Sequence, residues 1–200
     1  MTIVHGGMRT HGRGRAAPLL LCLLALPAAG FPGVSHACGK ERWPVKTGTD
    51  PDASRIDLQH GVATTVAKLD ALPAPVHLPR DRRIPPVETT VYRVHATLIA
   101  YKHERDGDYH LILRGRSGQT MITEIPDPSC VGSGSPLARG IARARREFNA
   151  RFRAEDHYRH THVPVTVTGV GFFDFPHGQT GVAPNAIELH PVLDVAFAGH

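Results

Sequence analysis

Apolar and polar residues alternate over five stretches of the chain, at 87–101, 109–113, 120–125, 163–173 and 187–197. Alternation with a period of two is typical of a β-strand that buries one face. Turn signals separate the first three stretches, Asp106-Gly107-Asp108 and then Ser117-Gly118. The pattern therefore predicts a sheet built from five strands.

Helical spacing of apolar residues appears in two further stretches. Residues 136–153 follow Ser135-Pro136, a helix-start signal, and an apolar face recurs along them at 137, 141, 144, 148 and 152. Residues 57–72 show the same spacing at 58, 62, 66 and 69. We therefore predict a helix after the third strand and a shorter amphipathic helix near the start of the chain.

The order of these elements predicts the fold class, which is mostly β (α+β). Three strands, a helix and two more strands is the order of the OB-fold, a small five-stranded barrel. We expect an OB-fold-like barrel over residues 87–197, preceded by an N-terminal extension at 38–86. That extension holds the short helix and a proline-rich connector at 73–86, whose arginines we expect to be exposed: Arg80, Arg82 and Arg83.

Residues 1–37 have the pattern of a secretory signal peptide. Three arginines and no acidic residue precede an apolar run at 16–29 that is too short to span a bilayer, and small residues suitable for cleavage end at Gly30 or Ala37. Cleavage would remove three of the 23 basic residues and none of the 18 acidic ones, which leaves a net charge of +2. We expect an exported protein, periplasmic or extracellular. Lipid anchoring at Cys38 is the alternative.

The cysteines favour one disulfide bond. Cys22 would be removed with the signal peptide, and Cys38 and Cys130 remain as an even pair in an oxidising compartment. The competing hypothesis is a cysteine-ligated metal site, which the absence of a CxxC spacing disfavours.

Two polar side chains in the last predicted strand are candidates for chemistry. Glu188 and His190 share one face of residues 187–197, outside the expected hydrophobic core. A histidine oriented by a carboxylate serves acid/base or metal sites. The same pattern describes the polar side of any half-buried strand. Pro191 cannot donate to a ladder, so the strand should lie at an edge or be bulged there.

The loop at 174–185, which precedes this strand, occupies the position that OB-folds use for ligand binding. It combines glycines with the hydrogen-bonding side chains of His177, Gln179 and Asn185. Together with Glu188 and His190, these residues are our predicted binding site.

A candidate metal site lies in the first hairpin. Asp106, Asp108 and His110 form a D-x-D-x-H run that offers oxygen and nitrogen ligands to a divalent ion. The alternative is an Asp-Gly-Asp turn, which needs no metal. Apart from this divalent ion, no cofactor is predicted.

Three motifs carry a family resemblance: GDYHLIL at 107–113, EIP at 124–126 and IELHPV at 187–192. The region from 87 to 195 resembles a group of exported bacterial proteins without assigned function, which pair a "DGDYHL" hairpin with a terminal "ELHPV" strand. The positions of Cys38 and Cys130 also resemble theirs. The resemblance brings with it no catalytic residue and no ligand.

A more distant similarity is to thermonuclease-type enzymes, which are exported OB-folds with a helix after the third strand. It implies Ca²⁺-binding carboxylates and phosphate-binding arginines, roles that would fall to Asp106 or Asp108, Glu124, Asp127 and Arg114. TEIPDP at 123–128 departs from the Asp-Thr-x-Glu stretch of those enzymes.

We therefore expect a non-enzymatic binding module whose partner is an envelope protein, an oligosaccharide or an oligonucleotide. The alternative is a metal-dependent phosphodiesterase or nuclease, and a third hypothesis is a purely structural envelope protein. No serine nucleophile elbow, P-loop or zinc-protease motif is present in the sequence.

Overall fold

The computed structural model describes residues 1–7, 38–176 and 178–198. The chain divides into two compact units, Met1–Val34 and Ser35–His200. In the first unit the described residues are exposed and have no regular secondary structure. Most of the expected signal peptide and the side chain of His177 lie outside the described residues. In the described part of the chain, no helix is long and apolar enough to cross a membrane.

The second unit contains six strands and three α-helices among its described residues. The strands are β1 (Val62–Thr64), β2 (Val91–His103), β3 (Tyr109–Arg114), β4 (Thr120–Ile125), β5 (Arg159–Phe173) and β6 (Ile187–Phe197). The α-helices are α1 (Trp43–Thr47), α2 (Val66–Asp70) and α3 (Ala138–Asn149), and 3₁₀ turns occupy Ala53–Arg55, Val87–Thr89 and Pro128–Cys130.

The strands form one mixed sheet that closes partly into a ring. Their order is β1-β2-β3-β4-β6-β5, and an additional pairing of β2 with β5 joins the ends of the five longer strands. The ring pairings are antiparallel except for a short parallel contact between β4 and β6. The short strand β1 adds to β2 in parallel outside the ring.

The hydrophobic core fills the inner face of this ring and continues under α3. Alternate residues of each strand point inward, among them Leu111, Leu113 and Leu189. From α3, the side chains of Ala144 and Phe148 pack against this cluster, and Phe148 meets the ring of Tyr101 edge-on at 5.2 Å. The predicted apolar face of this helix is therefore the face that it buries.

The five predicted strands are confirmed, and so is the helix between the third and fourth of them. The boundaries of β4 and β6 agree with the prediction. The ring closes only partly, so the structure does not confirm the narrower prediction of an OB-like barrel. Helix α3 begins at Ala138, after a turn in which Ser135 Oγ accepts from the N–H of Leu137 and donates to the carbonyl of Thr47.

The short helix predicted at 57–72 is present, but it covers only Val66–Asp70. This stretch contains the short strand β1 and then a single helical turn, α2, which begins after Thr65. The Thr65 hydroxyl accepts from the N–H of Lys68 and caps that turn. Pairing of Val62 with Tyr92 on the edge of β2 outweighs the helical spacing of a few apolar residues.

The expectation that all three connector arginines are exposed is wrong. Arg83 is 4 % exposed, and its guanidinium binds the buried carboxylate of Asp50 at 2.7 Å. Its remaining donors reach the carbonyls of Val45 and Glu88. The connector is thus bonded to the segment around α1 instead of being a solvated spacer.

A second buried ion pair fixes the same segment. The two terminal nitrogens of Arg42 bind the two carboxylate oxygens of Glu88 at 2.7 and 2.9 Å, and one of them also donates to the carbonyl of Phe173. Both partners are buried, so the loss of either would leave an uncompensated charge. This pair connects α1 to the end of β5.

The predicted disulfide bond between Cys38 and Cys130 is confirmed. It spans 92 residues and ties the segment before α1 to the 3₁₀ turn after β4. The segment at 38–50 is therefore attached to the ring by a covalent bond at one end and by two buried ion pairs farther along.

The bulge expected at Pro191 is present in a central strand. The register of β5 against β6 shifts between Thr168 and Gly169 and again between Gly169 and Gly171. A Cβ at Gly169 would lie 2.9 Å from the Pro191 carbonyl oxygen, so glycine permits this close approach. The bulge takes Pro191 out of the regular ladder, so the N–H that proline lacks is not needed there.

Candidate functional site: a buried carboxylate–histidine cluster

Five charged or polar side chains, four from strands β3, β4 and β6 and one from the turn before β3, meet on the outer face of the ring. They are Asp108, His110, Glu124, Glu188 and His190, which we call the buried cluster. His110 lies directly opposite Glu124 in the β3–β4 ladder. In the parallel β4–β6 contact, Ile122 pairs with Glu188, so the next outward positions along these two strands are Glu124 and His190.

The strand pattern alone would expose this face, yet the cluster is buried. His110 and His190 are 0 % exposed, Glu188 and Asp108 are 1 % exposed, and Glu124 is 9 % exposed. Other segments cover the strands here. Phe172 of β5 lies beside His190 with their ring centroids 5.4 Å apart, and Tyr158 lies beside His110 at 5.9 Å. The expectation that Glu188 and His190 lie outside the core at a solvated surface is therefore corrected.

Glu124 is the centre of the cluster. One of its carboxylate oxygens, Oε1, is 2.9 Å from Nδ1 of His110, and the other, Oε2, is 3.1 Å from Nδ1 of His190. Nε2 of His190 is 3.5 Å from Oδ2 of Asp108, and Nδ1 is 3.9 Å from Oε2 of Glu188. Three carboxylates thus surround one imidazole ring.

Several of these atoms lie close together without forming a hydrogen bond. Among the described residues, neither ring nitrogen of His190 has a hydrogen-bond partner, and the same is true of Asp108 Oδ2, Glu188 Oε2 and His110 Nε2. His190 Nδ1 is near Glu124, but its N–H direction misses the carboxylate oxygen. Buried polar atoms are normally paired, so a group of unpaired ones needs an explanation.

The hairpin turn before β3 holds Asp108 in place. Oδ1 of Asp108 accepts from the N–H of Asp127, which leaves Oδ2 pointing toward His190. The buried guanidinium of Arg145 donates to the carbonyls of Gly107 and Ile125, and so joins the turn to the end of β4. A cation on α3 therefore positions the carboxylate without entering the cluster.

The charges of the cluster are unevenly compensated. Burial alone would raise the pKa of Glu124, but its contacts with His110 and His190 and the charge of Lys46 hold that pKa well below the usual range. Burial alone would lower the pKa of His190, yet its contacts with Asp108, Glu124 and Glu188 raise it well above the usual range. This shift favours the protonated ring of His190 in the metal-free protein, so a metal ion that binds His190 would displace that proton.

Glu188 is the carboxylate of the cluster whose negative charge is least compensated. Burial raises the pKa of Glu188 to about 7, and the charges of Glu124 and Asp174 act in the same direction, against the contact with His190. At neutral pH this side chain is thus about half protonated. The cluster has more negative groups than its internal cations can neutralise.

Lys46 reaches toward the cluster from α1. Its Nζ is 3.1 Å from Asp174 Oδ2 and 5.3 Å from the ring centroid of Phe172, the same ring that lies against His190. Burial would lower the pKa of Lys46, but the carboxylates of Asp174, Glu124 and Glu188 more than offset this and raise it above the usual range. Lys46 is therefore a permanent positive charge beside the cluster.

The donor atoms form two triads, each of which could bind a metal ion. Asp108, Glu124 and His190 make one triad, and Glu104, His110 and Glu124 make the other, with the ligand atoms of each triad within 4.8 Å of one another. The first triad is buried throughout. Glu104 keeps 29 % of its side-chain surface exposed and is already paired with Lys102 at 2.9 Å, so the first triad is the better candidate.

The structure brings together four of the residues predicted from the sequence and separates others from them. Asp108 and His110 from the predicted metal site join Glu188 and His190 from the predicted binding site. Asp106 stays in the turn, where its Oδ1 accepts from the N–H of Asp108. Two candidates that we predicted separately thus become one site.

Of the loop residues predicted for binding, Asn185 makes its hydrogen bonds away from the cluster. Asn185 is buried, and its amide group donates to the carbonyls of Leu69 and Leu72 while its oxygen accepts from the N–H of Ile187. It is a structural clamp between α2 and β6. Gln179 is half-buried in the loop, and His177 is outside the described residues.

The residues suggested by the similarity to thermonuclease-type enzymes separate as well. Glu124 lies in the cluster, whereas Asp127 accepts from the N–H and hydroxyl of Ser129 in the 3₁₀ turn. Arg114 is exposed at the far end of β3, six residues from Asp108 or about 20 Å by strand rise. The arrangement therefore brings no arginine of that set to the carboxylates.

Sequence reasoning did not identify Lys46 or the central role of Glu124. In the sequence, only the similarity to thermonuclease-type enzymes points to Glu124, although its position opposite His110 follows from the hairpin register. Lys46 lies in a stretch without regular periodicity, and nothing local indicates that α1 folds over β6. No protein-family model matches this chain, and a comparison with curated proteins found no match either.

Proposed function

We propose that the protein is an exported binding module that takes up one divalent metal ion in the buried cluster. Asp108, Glu124 and His190 would be the ligands, with Glu188 as a further carboxylate. The observation that carries this proposal is a set of buried atoms that have no hydrogen-bond partner within the described parts of the chain and that face one another: Asp108 Oδ2, Glu188 Oε2 and the two nitrogens of His190. A cation satisfies such a set, because it removes both the unpaired atoms and the excess negative charge.

Burial limits the size of the ligand. The residues Glu188 and His190 are at most 1 % exposed, and the amide group of Asn185 donates to backbone carbonyls. An oligosaccharide or a protein partner could not contact them without opening the covering segments. A single dehydrated ion requires no such opening, which favours a cation over the larger ligands expected from the sequence.

The ligand types favour a transition metal. Imidazole suits Zn²⁺ and its neighbours, and mixed histidine–carboxylate sets are common zinc ligands. Ca²⁺ prefers six to eight oxygen ligands. The buried cluster places a histidine in its best triad, so Zn²⁺ is the first ion to test.

The proposal includes an OB-like barrel outside the cytoplasm. The strand order around the ring, the parallel contact of β4 with β6 and the position of α3 before β5 support the barrel. The bond between Cys38 and Cys130 supports an oxidising compartment. The resemblance to exported bacterial proteins agrees with both features.

Metal binding is tested on the folded protein after removal of metal with a chelator. Calorimetric titration with Zn²⁺, Mn²⁺ and Ca²⁺ should give one site with a Kd of about 1 μM or lower for Zn²⁺. Glu124→Gln should weaken binding by on the order of 100-fold or more, because it removes the central ligand. Glu41→Gln, at an exposed position, is the matched control. A wild-type protein that binds none of the three ions would refute the proposal, as would an E124Q variant that binds like the wild type.

A cavity beside the cluster is the observation that favours the phosphodiesterase alternative. It has a volume of about 690 Å³ and is lined by Lys102, His103, Glu104, Arg105, Asp106 and Asp156. Glu104 belongs to both the cavity and the second triad, and Lys102 and Arg105 would attract a phosphate group. Cleavage of labelled DNA that depends on Ca²⁺ or Mg²⁺ would favour this alternative, and no cleavage would end it for nucleic acid.

A further inference from the structure

We propose that Lys46 is a built-in counter-cation of the metal site and that it competes with the bound ion. This inference rests on the proposed metal-binding function. It states that the ammonium group of Lys46 lowers the affinity of the cluster for divalent ions. A site with such a competitor binds and releases its ion instead of holding it permanently.

The position of Lys46 supports this role. The side chain is only 12 % exposed, and it packs over the ring of Phe172 with its ammonium group 3.1 Å from Asp174. His190 lies against the same ring. Lys46 and the imidazole are thus held on a common aromatic side chain, which places a fixed positive charge next to the proposed ligands.

The surrounding structure fixes the helix that carries Lys46. Arg42, one turn earlier in the chain, is bound to Glu88 in a buried ion pair. Gly48, just after α1, has a φ of 72° and lies against Leu137, where a Cβ would come within 2.6 Å of that side chain. The disulfide bond at Cys38 holds the start of the segment. The helix that carries Lys46 is therefore fixed on both sides.

A fixed charge has a predictable effect on a divalent ion. Without metal, Lys46 reduces the repulsion among Glu124, Glu188 and Asp174, because its charge acts on all three carboxylates. With metal bound, the same charge repels the ion. Both effects weaken binding, and in a partly desolvated site such an interaction changes an affinity by about tenfold or more.

Two substitutions at the same ion pair separate this role from a structural one. Lys46→Gln removes the positive charge and should tighten Zn²⁺ binding by about tenfold or more. Asp174→Asn removes the negative charge and frees the ammonium group to approach the cluster, so it should weaken binding by a similar factor. If the pair only clamped α1 to β5, both substitutions would loosen the same contact and would change the affinity in the same direction.

Matched variants control for charge and folding. Lys46→Arg keeps the charge and should bind Zn²⁺ within about threefold of the wild type. Lys68→Gln removes an exposed lysine on α2 and should leave the affinity unchanged. Circular dichroism confirms that each variant is folded before titration. If neither K46Q nor the more apolar Lys46→Met folds, D174N decides the question, and equal or tighter binding by D174N then overturns the inference.

The outcomes also distinguish this inference from the proposed function. Binding by the wild type with equal or weaker binding by K46Q overturns the role of Lys46 and leaves the metal site standing. Failure of the wild type and of K46Q to bind any of the three ions overturns both. Tight binding by K46Q alone would support the competition and would refute metal binding by the natural protein.

Discussion

At the scale of single residues, Glu188 shows how burial changes the chemistry of a side chain. The sequence places it next to His190 on a strand, where a solvated carboxylate would be ionised above pH 5. In the structure, burial and neighbouring carboxylates raise its pKa to about 7. Its protonation state near neutral pH is therefore a property of the cluster and differs from that of an ordinary glutamate.

This raised pKa predicts a pH dependence of stability. A carboxyl group whose pKa is higher in the folded state stabilises the fold fully below the unfolded value of 4.5, and this contribution is lost as pH rises through about 7. Metal-free wild-type protein should thus lose at least about 1 kcal/mol between pH 5 and 8 relative to Glu188→Gln. Urea unfolding of both proteins at a series of pH values measures the difference. Parallel stability curves would show that Glu188 titrates normally.

At the scale of elements, the segment at 38–50 has the largest effect on the site. It has no clear periodicity, yet it covers β6 with α1, brings Lys46 to the cluster and supplies partners for Arg83 and Glu88. The disulfide bond closes a loop over 92 residues and so restricts mainly the unfolded chain.

Removing the disulfide bond should destabilise the protein without changing its sheet. In the chain-entropy model, a loop of this size contributes ~4–5 kcal/mol. The double substitution of Cys38→Ser and Cys130→Ser should lower the free energy of unfolding by this order, as measured by urea denaturation of the chelator-treated protein. The wild type under reducing conditions provides the comparison. A loss below about 1 kcal/mol would mean that the unfolded chain gains little freedom from opening the loop.

At the scale of the whole molecule, the ring and its covering segments form one compact unit with the cluster inside. An ion that binds only the folded state stabilises that entire unit. The stabilisation is about 2.7 kcal/mol at a free ion concentration of 100 times Kd.

We therefore expect Zn²⁺ to raise the unfolding temperature. For a unit of this size, the stabilisation corresponds to an increase in Tm of about 5–10 °C. Scanning calorimetry of chelator-treated protein with and without Zn²⁺ measures it, and E124Q should lose most of the shift. An equal shift in both proteins would place the binding ion elsewhere on the surface.

The local sequence pattern predicted the elements well where apolar and polar residues alternate along neighbouring strands. It predicted them poorly where the chain is irregular. Strands β3, β4 and β6 followed from period-two alternation and turn residues, because both signals act within a few residues. At 57–72 the predicted helix is too long, because residues 62–64 pair with the edge of β2 as strand β1. The predicted exposure of Arg83 is wrong because its partner, Asp50, lies 33 residues away in the sequence and is not visible in the local pattern.

The sequence by itself determined the five strands of the ring, the helix at α3, the cysteine pair and the identity of the polar residues on each of those strand faces. The tertiary structure decided that the outer face of β3, β4 and β6 is covered, and hence that Asp108, Glu124 and His190 meet away from water. The reason is that alternation specifies which side chains share a face, while burial depends on what packs against that face. Here the covering elements are α1 and Phe172, which long-range contacts bring to the cluster.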